Sequence, residues 1–431
     1  MAEFDAADIF ILAGVTIVTG YIAGFLFRRY KAPDILILML LGWIFGTWAL
    51  DALGGNVSEV INNLLPYVSS LALAFIMFNG GLEISLKDIG KEGKDASFLA
   101  ISMFVLVVIG LSAFFWLIGL PPVMAVLCGV VFGSSSAPTV IPLISSMGAS
   151  NRIKTTLILE SAITDVLVVG IGTAFIVSLA NPSSSVAEST IALVGSVIIA
   201  FAIGVAVGVL WIRLSPKLSK YQYYYLLTLA LILLLYGVCD ILIPDGGAVI
   251  AVLTFGLVLG NSKHLPARIR PKEEFVLRGK EFSILNEELS FFIKVFFFTF
   301  LGIYVATLNF SWELVLYGIA VFLILLGIRQ YVTVLMKRRQ TYLRSEELAM
   351  RSMFPRGLTT VVVSLLIFSY GVEEGLSQDT LLGVVAIVIV ATTMLTSVGA
   401  FLVGRQLKVE GGGNREEGKA PSGMDTVQEG S

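Results

Sequence analysis

Residues 159–169, LESAITDVLVV, place two carboxylates inside a stretch that otherwise has the composition of a membrane-spanning helix. Glu160 and Asp165 lie among Leu, Ile, Ala and Val. An ionised carboxylate in a membrane interior is costly unless it is paired or binds a cation, so acids that are present there usually have a function. The fold and the function of this chain therefore have to account for these two acids.

The composition of the whole chain is that of a polytopic membrane protein. Of its 431 residues, 56% are hydrophobic and 14% are charged, whereas soluble domains carry about 25% charged residues. Cys128 and Cys239 both lie in apolar runs, so no disulfide framework or zinc site is expected. A single histidine, His264, argues against a Ser/His/Asp hydrolase. We expect no enzymatic activity and no bound cofactor.

Apolar windows long enough to cross a bilayer, about 20 residues each, recur along the chain. We expect an all-α transmembrane domain over residues 1–408 and a disordered cytoplasmic tail over residues 409–431, which are Gly-rich and polar. The thirteen predicted spans cover residues 9–27, 33–51, 60–82, 96–119, 121–147, 155–180, 187–212, 221–243, 246–262, 286–309, 312–336, 346–371 and 378–404.

Alternate connections between these spans differ in charge. Basic connections such as RRYK (28–31), KDIGKEGK (87–94) and KRRQTYLR (337–344) alternate with connections that contain no Lys or Arg, such as NPSSSVAEST (181–190) and YGVEEGLSQD (370–379). The positive-inside rule then puts the N-terminus outside and the C-terminus in the cytoplasm. Topology also explains the basic loops, so no nucleic-acid binding is expected.

Two spans contain residues that break helices near the middle of the membrane. The fifth contains GSSSAPTVIP (133–142), and the twelfth contains FPRGL (354–358). They lie seven spans apart and run in opposite directions, as equivalent elements of inverted repeats do. Paired broken helices of this kind indicate the central site of a transporter. The alternative is that Pro and Gly merely kink these two helices.

The sixth span carries the polar residues closest to this predicted site. At 3.6 residues per turn, Ser161 and Asp165 share one face of the helix, and Glu160 and Thr164 share another. Glu160 and Asp165 are roughly 140° apart around the helix axis. The two carboxylates are therefore expected to have different roles, one structural and one in binding.

Three cations lie in other predicted spans, and one of them is the expected partner of an acid. Arg356 in the twelfth span is the expected counter-charge for one carboxylate, and Lys294 in the tenth is a second intramembrane cation. Arg329 in the eleventh span lies near the cytoplasmic boundary and is expected to extend its side chain to that surface. The alternative reading of the charges is a static salt-bridge network that only holds helices together.

An oxygen-rich pocket suits a hard monovalent cation. The candidate set for cation and proton binding is Asp165, Ser161 and Thr164 of the sixth span, with Ser135 and Ser136 of the broken fifth span. A single carboxylate such as Asp165 can hold either a proton or a cation. Competition between the two is the minimal requirement for exchange.

Five motifs, in order along the chain, resemble those of the monovalent cation:proton antiporter superfamily. ESAITD is similar to the Glu-Ser-x-x-Asn-Asp signature of that family, and FPRGL is similar to its Pro-Arg-Gly motif. The five motifs are APDILILMLLGWIFG (32–46), FNGGLEISLKDI (78–89), ESAITD (160–165), FFFTFLGI (296–303) and FPRGL (354–358).

The resemblance implies a fold and a role for each matching residue. The fold is NhaA-like, with a core domain containing two crossing broken helices and a dimerisation domain beside it. Asp165 would be the carboxylate that binds the cation and the proton, with Ser161 beside it. Glu160 would pair with Arg356 in a structural bridge between the sixth and twelfth spans. Lys294 is a possible modulator.

This chain departs from the family pattern at two positions. Thr164 precedes Asp165 where most sodium/proton members have Asn or Asp, and Ser136-Ala137-Pro138 replaces Thr-Asp-Pro in the broken fifth span. The second change resembles the potassium-efflux branch. Both Na⁺ and K⁺ therefore stay open as the transported ion.

The resulting prediction is an H⁺/monovalent-cation antiporter in a prokaryotic cell membrane, acting in pH homeostasis as a homodimer. With a single exchanging carboxylate, one H⁺ is traded for one cation, and the exchange is electroneutral unless Lys294 approaches Asp165 and releases a proton of its own. An organic-anion symporter on the same fold is the alternative, with Lys294 or Arg356 facing the anion. A non-transporting receptor or intramembrane enzyme is a third reading, for which no catalytic motif is present.

Overall fold

The computed structural model describes residues 6–30, 33–53, 56–84, 86–136, 139–140, 143–144, 149–180, 186–218, 224–243, 247–264, 280–369, 371 and 375–417. Within them the regular secondary structure is helical, and no strand is present. The described α-helices are α1 (Ala6–Tyr30), α2 (Asp34–Leu53), α3 (Asn56–Glu83), α4 (Leu86–Leu117), α5 (Pro122–Val131), α6 (Asn151–Ala180), α7 (Val186–Leu218), α8 (Tyr224–Leu242), α9 (Gly247–Gly260), α10 (Lys280–Thr307), α11 (Trp312–Arg339), α12 (Arg344–Ser352), α13 (Leu358–Ser369) and α14 (Gln378–Glu417).

The lengths and apolar composition of these helices suit a bilayer. Six of the described helices are long and apolar enough to cross a membrane, and seven shorter apolar helices of 10–17 residues accompany them. The protein is therefore a multi-pass, all-α membrane protein. The count of thirteen crossings and the inverted repeats stay predictions.

Both predicted helix breaks are present. α5 ends at Val131, residues 132–136 are not helical, and helical backbone returns at Thr139 and Val140. In the twelfth predicted span, α12 and α13 are separated by the non-helical residues 353–357. Pro355 explains the second break, because proline lacks the N–H that a continuous helix requires.

The helices pack into two groups. The scaffold bundle consists of α1–α3 and α7–α10, in which α2 packs on α10 and α9 packs on α3, α7 and α8. The core bundle consists of α4–α6 and α11–α14, in which α4 packs on α5 and α6, and α14 packs on α11 and α12. Contact between the groups includes α3 against α13. Each bundle thus combines one stretch from each half of the chain, and both breaks belong to the core bundle.

The last helix is longer than the sequence suggests. α14 continues to Glu417, whereas disorder was expected from residue 409. The carboxylate of Glu410 accepts hydrogen bonds from the backbone N–H of Ser345 at 3.1 Å and from its hydroxyl at 2.6 Å. This contact ties α14 at Glu410 to the first turn of α12, two residues beyond the predicted end of the transmembrane domain. Residues 418–431 of the predicted tail lie outside the described residues.

Candidate functional site

The two helix breaks contact each other directly. The backbone N–H of Ser136 donates to the carbonyl of Pro355 at 2.8 Å, and Arg356 donates from Nη1 to the carbonyl of Ser134. A Cβ atom on Gly357 would lie 2.4 Å from the hydroxyl oxygen of Ser136, so only glycine allows this approach. The two broken segments, which the resemblance implied would cross, are thus in contact, and the rest of the NhaA-like arrangement stays a prediction.

Helix α6 holds the first break from one side. The Ser161 hydroxyl donates to the carbonyl of Ser135 at 2.5 Å. The N–H of Ser135 donates to Oγ1 of Thr164 at 3.2 Å, and the Thr164 hydroxyl donates to the carbonyl of Ser161 at 3.0 Å. Both polar groups of the Ser135 peptide, which a continuous helix would pair internally, thus have partners on α6. The structure brings these three candidate residues together.

The remaining two candidates lie beside this contact. Asp165 follows Ser161 by four residues on α6, hence on the same face one turn later, and it is 6% exposed. Ser136 is buried, and its hydroxyl is 3.2 Å from that of Thr139. A buried carboxylate, serine hydroxyls and a backbone carbonyl freed by the break are the donor types that hard monovalent cations prefer.

Glu160 has a different cation partner from the one predicted. Its two carboxylate oxygens accept from Nη1 and Nη2 of Arg329, the second at 3.0 Å. The predicted pairing of Glu160 with Arg356 is therefore wrong. So is the expectation that Arg329 extends to the cytoplasmic surface, because its side chain is 0% exposed and points into the core bundle.

Arg329 also supports the end of the half-helix α12. It donates from Nε to the carbonyl of Met350 and from Nη2 to that of Met353 at 3.1 Å. Gln330 and Thr396 donate to the two carbonyls in between, at 3.2 Å each. The last carbonyls of a helix lack partners within the helix, and here side chains of α11 and α14 supply them. The side chain of Arg329 is thus held inside the core bundle by these backbone carbonyls as well as by Glu160.

Arg356 sits inside the crossing without a close carboxylate partner among the described residues. Its side chain is 1% exposed, and its backbone N–H donates to Thr392 at 3.0 Å. Apart from the bond to Ser134, its Nε and Nη2 atoms are buried without a hydrogen-bond partner in the part of the chain described. It interacts electrostatically with Glu160 and Asp165 at longer range. Arg356 is therefore a buried positive charge that is attracted to both acids.

Lys294 lies in the scaffold bundle and contacts a different acid. Its ammonium donates to the carboxylate of Asp34, at the first residue of α2, and it lies 5.6 Å from the centre of the Phe291 ring. This ion pair joins α10 to α2. The structure thus gives Lys294 a partner other than Asp165.

A polar cluster at the predicted cytoplasmic side was not found from the sequence. Asp95 at the base of α4 accepts from Arg152, Gln340 and Tyr342 at 3.1, 3.1 and 3.2 Å. Burial, and then the charge of Asp95, raise the pKa of Tyr342 to about 12, so its hydroxyl stays a donor at neutral pH. The cluster ties α4, α6 and the α11–α12 connection of the core bundle together.

Comparison with known proteins identifies relatives of this chain. The family model described as "Sodium/hydrogen exchanger, transmembrane" matches residues 14–404. A K⁺/H⁺ antiporter NhaP of Alkalimonas amylolytica is 25% identical over 307 residues, covering 70% of this chain and 50% of that protein. A probable Na⁺/H⁺ antiporter of Methanocaldococcus jannaschii is 23% identical over 286 residues, 64% of each protein. The chain spans half or less of the length of the K⁺/H⁺ relatives it matches.

Solved structures share the fold. The sodium proton antiporter MjNhaP1 of Methanocaldococcus jannaschii at pH 8 matches with a TM-score of 0.67 at 20% identity, covering 91% of this chain and 96% of that one. An electron-microscopy structure of the same antiporter gives a TM-score of 0.71 at 17% identity, covering 97% and 100%. At these identities the likeness concerns the fold alone.

Proposed function

Because this chain belongs to the sodium/hydrogen exchanger family, we propose that it is a secondary active antiporter that exchanges H⁺ for Na⁺ or K⁺ across the membrane. The observation that carries this function is the group of oxygen atoms around the first helix break. Asp165 lies one turn from Ser161, whose hydroxyl holds the freed carbonyl of Ser135 at 2.5 Å. Together they offer a carboxylate, a hydroxyl oxygen and a carbonyl to one small cation.

Asp165 is the residue at which proton and cation compete. A protonated carboxyl group has lost most of its attraction for a cation, and a bound cation disfavours protonation of the same carboxylate. Each occupant therefore displaces the other. Ser161 and the Ser135 carbonyl contribute oxygens, while Thr164 fixes the Ser135 peptide, since its own oxygen already accepts the N–H of Ser135. Ser136 completes the polar lining.

Transport proceeds by alternating access of this site to the two sides of the membrane. Both breaks, Asp165 and the Glu160–Arg329 pair lie in the core bundle. Arg329 links α6, α11 and α12, so these elements move as one body past the scaffold bundle. The role of the Glu160–Arg329 pair is structural, and Arg356 balances part of the negative charge near the ion.

The exchange is electroneutral. A single exchanging carboxylate trades one proton for one monovalent cation, which moves no net charge. Lys294 would add a second proton only if its charge responded to the ion at Asp165. Its ammonium contacts Asp34 in the scaffold bundle, which supports the one-for-one cycle.

The protein works in a prokaryotic cell membrane in pH homeostasis, as a homodimer and without a bound cofactor. α7 and α8 expose large apolar side chains such as Ile198, Phe201 and Leu234, which suits a scaffold facing lipid and a second protomer. Native mass spectrometry from lipid tests the dimer, and a monomer alone would contradict it. Among the observations on this chain, none favours the alternative of an organic-anion symporter.

Reconstituted proteoliposomes test the function and the ion together. A pH-sensitive dye inside the vesicles reports proton flux when Na⁺, K⁺ or Li⁺ is added separately. The proposal predicts dye recovery with Na⁺, K⁺ or both. Proton flux that appears with an organic anion, but with none of these cations, would contradict antiport and favour the symporter.

A further inference from the structure

The scaffold and core bundles are joined at one point by a very short connection. α3 of the scaffold ends at Glu83, and α4 of the core begins at Leu86. The three Cα–Cα steps between these residues span at most about 11 Å. The start of α4 therefore cannot travel far from the end of α3, and a relative motion of the bundles is confined here to a rotation.

The side chain of Asn261 holds this connection on both sides. Asn261 follows directly after α9 and is buried. Its Oδ1 accepts from the backbone N–H of Leu86 at 2.9 Å, and its Nδ2 donates to the carbonyl of Ile84 at 2.7 Å. The N–H and the carbonyl are groups that a helix start and a helix end leave without internal partners. One amide thus satisfies backbone groups on either side of the joint.

Asn261 is itself fixed to the scaffold bundle. Its Nδ2 also donates to the carbonyl of Leu257 in α9, at 2.8 Å. The cytoplasmic ends of α9 and α3 are in backbone contact, because Cβ atoms on Gly81, Gly256 and Gly260 would lie 2.1, 2.2 and 2.4 Å from carbonyl oxygens of the facing helix. Glycine allows this approach, as it does between other membrane helices. The amide of Asn261 therefore moves with α3 and α9.

We propose that Asn261 is a positioning residue of the transport cycle. Its amide fixes the start of α4 to the scaffold bundle, and this contact is the pivot about which the core bundle rotates. The inference rests on the proposed antiport by alternating access. Asn261 lies at the joint and not among the candidate cation ligands, so it acts on the conformational step and not on cation binding. Without the amide, α4 begins in more than one orientation, and fewer molecules complete the rotation of the core bundle.

Kinetics in proteoliposomes separate this role from a general effect on stability. For Asn261→Ala we expect the maximal exchange rate to fall about tenfold while the KM for the cation stays within about twofold. The matched control is Asn79→Ala, because Asn79 donates to Ser290 at 2.7 Å between α3 and α10 inside the scaffold. Its maximal rate should stay within about twofold of the wild type. Asn261→Asp, which keeps the acceptor for Leu86 but has no donor, should fall in between.

A tether tests the pivot even if Asn261→Ala does not fold. Lys87 and Lys263 flank the joint and are exposed, whereas the native Cys128 and Cys239 are buried. Cysteines at the two lysine positions, joined by a short bis-maleimide, should leave exchange intact. At a pivot, the distance between these two positions stays the same throughout the cycle. Loss of exchange on tethering would overturn the inference, and so would a wild-type rate or a parallel rise in KM in Asn261→Ala. A wild-type protein that exchanges no cation would instead defeat the proposed function.

Discussion

Replacing Arg329 by alanine should destabilise the protein far more than replacing Arg356 by alanine, although both arginines are buried in the core bundle. Arg329→Ala leaves Glu160 as an uncompensated buried charge, which costs about 3–5 kcal/mol. It also removes the donors to the carbonyls of Met350 and Met353, and a buried group left without a partner costs about 1–3 kcal/mol. These terms share one side chain and are not additive. We expect the free energy of unfolding to fall by about 5 kcal/mol or more in total.

Arg356→Ala removes much less. Its side chain makes a single hydrogen bond, to Ser134, and it carries two buried nitrogen atoms without a hydrogen-bond partner in the described residues. Removing a donor that is half unsatisfied also removes its desolvation cost. The expected loss is about 1–2 kcal/mol or less.

Thermal unfolding of detergent-purified protein, followed by size-exclusion chromatography after heating, compares the two variants. Arg329→Lys, which keeps the charge but not the two-pronged contact with Glu160, covers the case in which Arg329→Ala does not fold. The double variant Glu160→Leu with Arg329→Met should be more stable than either single change, because no charge is stranded. Equal losses of stability in Arg329→Ala and Arg356→Ala would refute this reasoning and would favour an ion pair between Glu160 and Arg356.

Three further changes test other contacts of the site. Thr164→Val removes the oxygen that accepts the N–H of Ser135, so the cation KM should rise about tenfold with a stability loss of about 1–2 kcal/mol; an unchanged KM would exclude this positioning role. Gly357→Ala introduces a methyl group 2.4 Å from the Ser136 hydroxyl, which should cost about 1–3 kcal/mol and strongly reduce exchange, and a wild-type melting temperature and rate would argue against a tight crossing. Exchange should stay independent of an imposed membrane potential in the wild type and in Lys294→Ala, and a rate that climbs with voltage would contradict the one-for-one cycle.

The helix breaks and the carboxylates near them could be predicted because their signals are local. Proline and glycine interrupt an apolar span wherever they occur, and an acid in such a span stands out by composition alone. The face shared by Ser161 and Asp165 follows from helical spacing. The contact of Ser161 and Thr164 with Ser135 needed only the further inference that α6 lies beside the broken α5.

The partner of Glu160 could not be predicted, because helical spacing gives the direction of a side chain but not its neighbour on another helix. The predicted eleventh span ends at residue 336, seven residues after Arg329, which at 1.5 Å per residue is about 10 Å along the axis. That depth was short enough to suggest a side chain reaching the surface. What holds Arg329 inside is the uncapped end of α12, and that exists only because Pro355 interrupts the helix.

Contacts over long stretches of chain were missed for the same reason. Lys294 and Asp34 are 260 residues apart in sequence, and no spacing rule connects α10 with the first residue of α2. Asn261 follows a glycine at a helix end, which is an ordinary stop signal. Its hydrogen bonds to the α3–α4 connection depend on the close packing of α3 and α9.

The most direct test of the central claim is proton flux in proteoliposomes containing Asp165→Asn. The matched control is Asp379→Asn, in which the altered carboxylate binds Tyr304 at 2.7 Å in the described structure, at the first turn of α14. Size-exclusion profiles of both variants should match the wild type. The account predicts that Asp165→Asn loses exchange with Na⁺, K⁺ and Li⁺, while Asp379→Asn keeps it. Cation-dependent proton flux near the wild-type rate in Asp165→Asn would contradict the claim that proton and cation compete at this carboxylate.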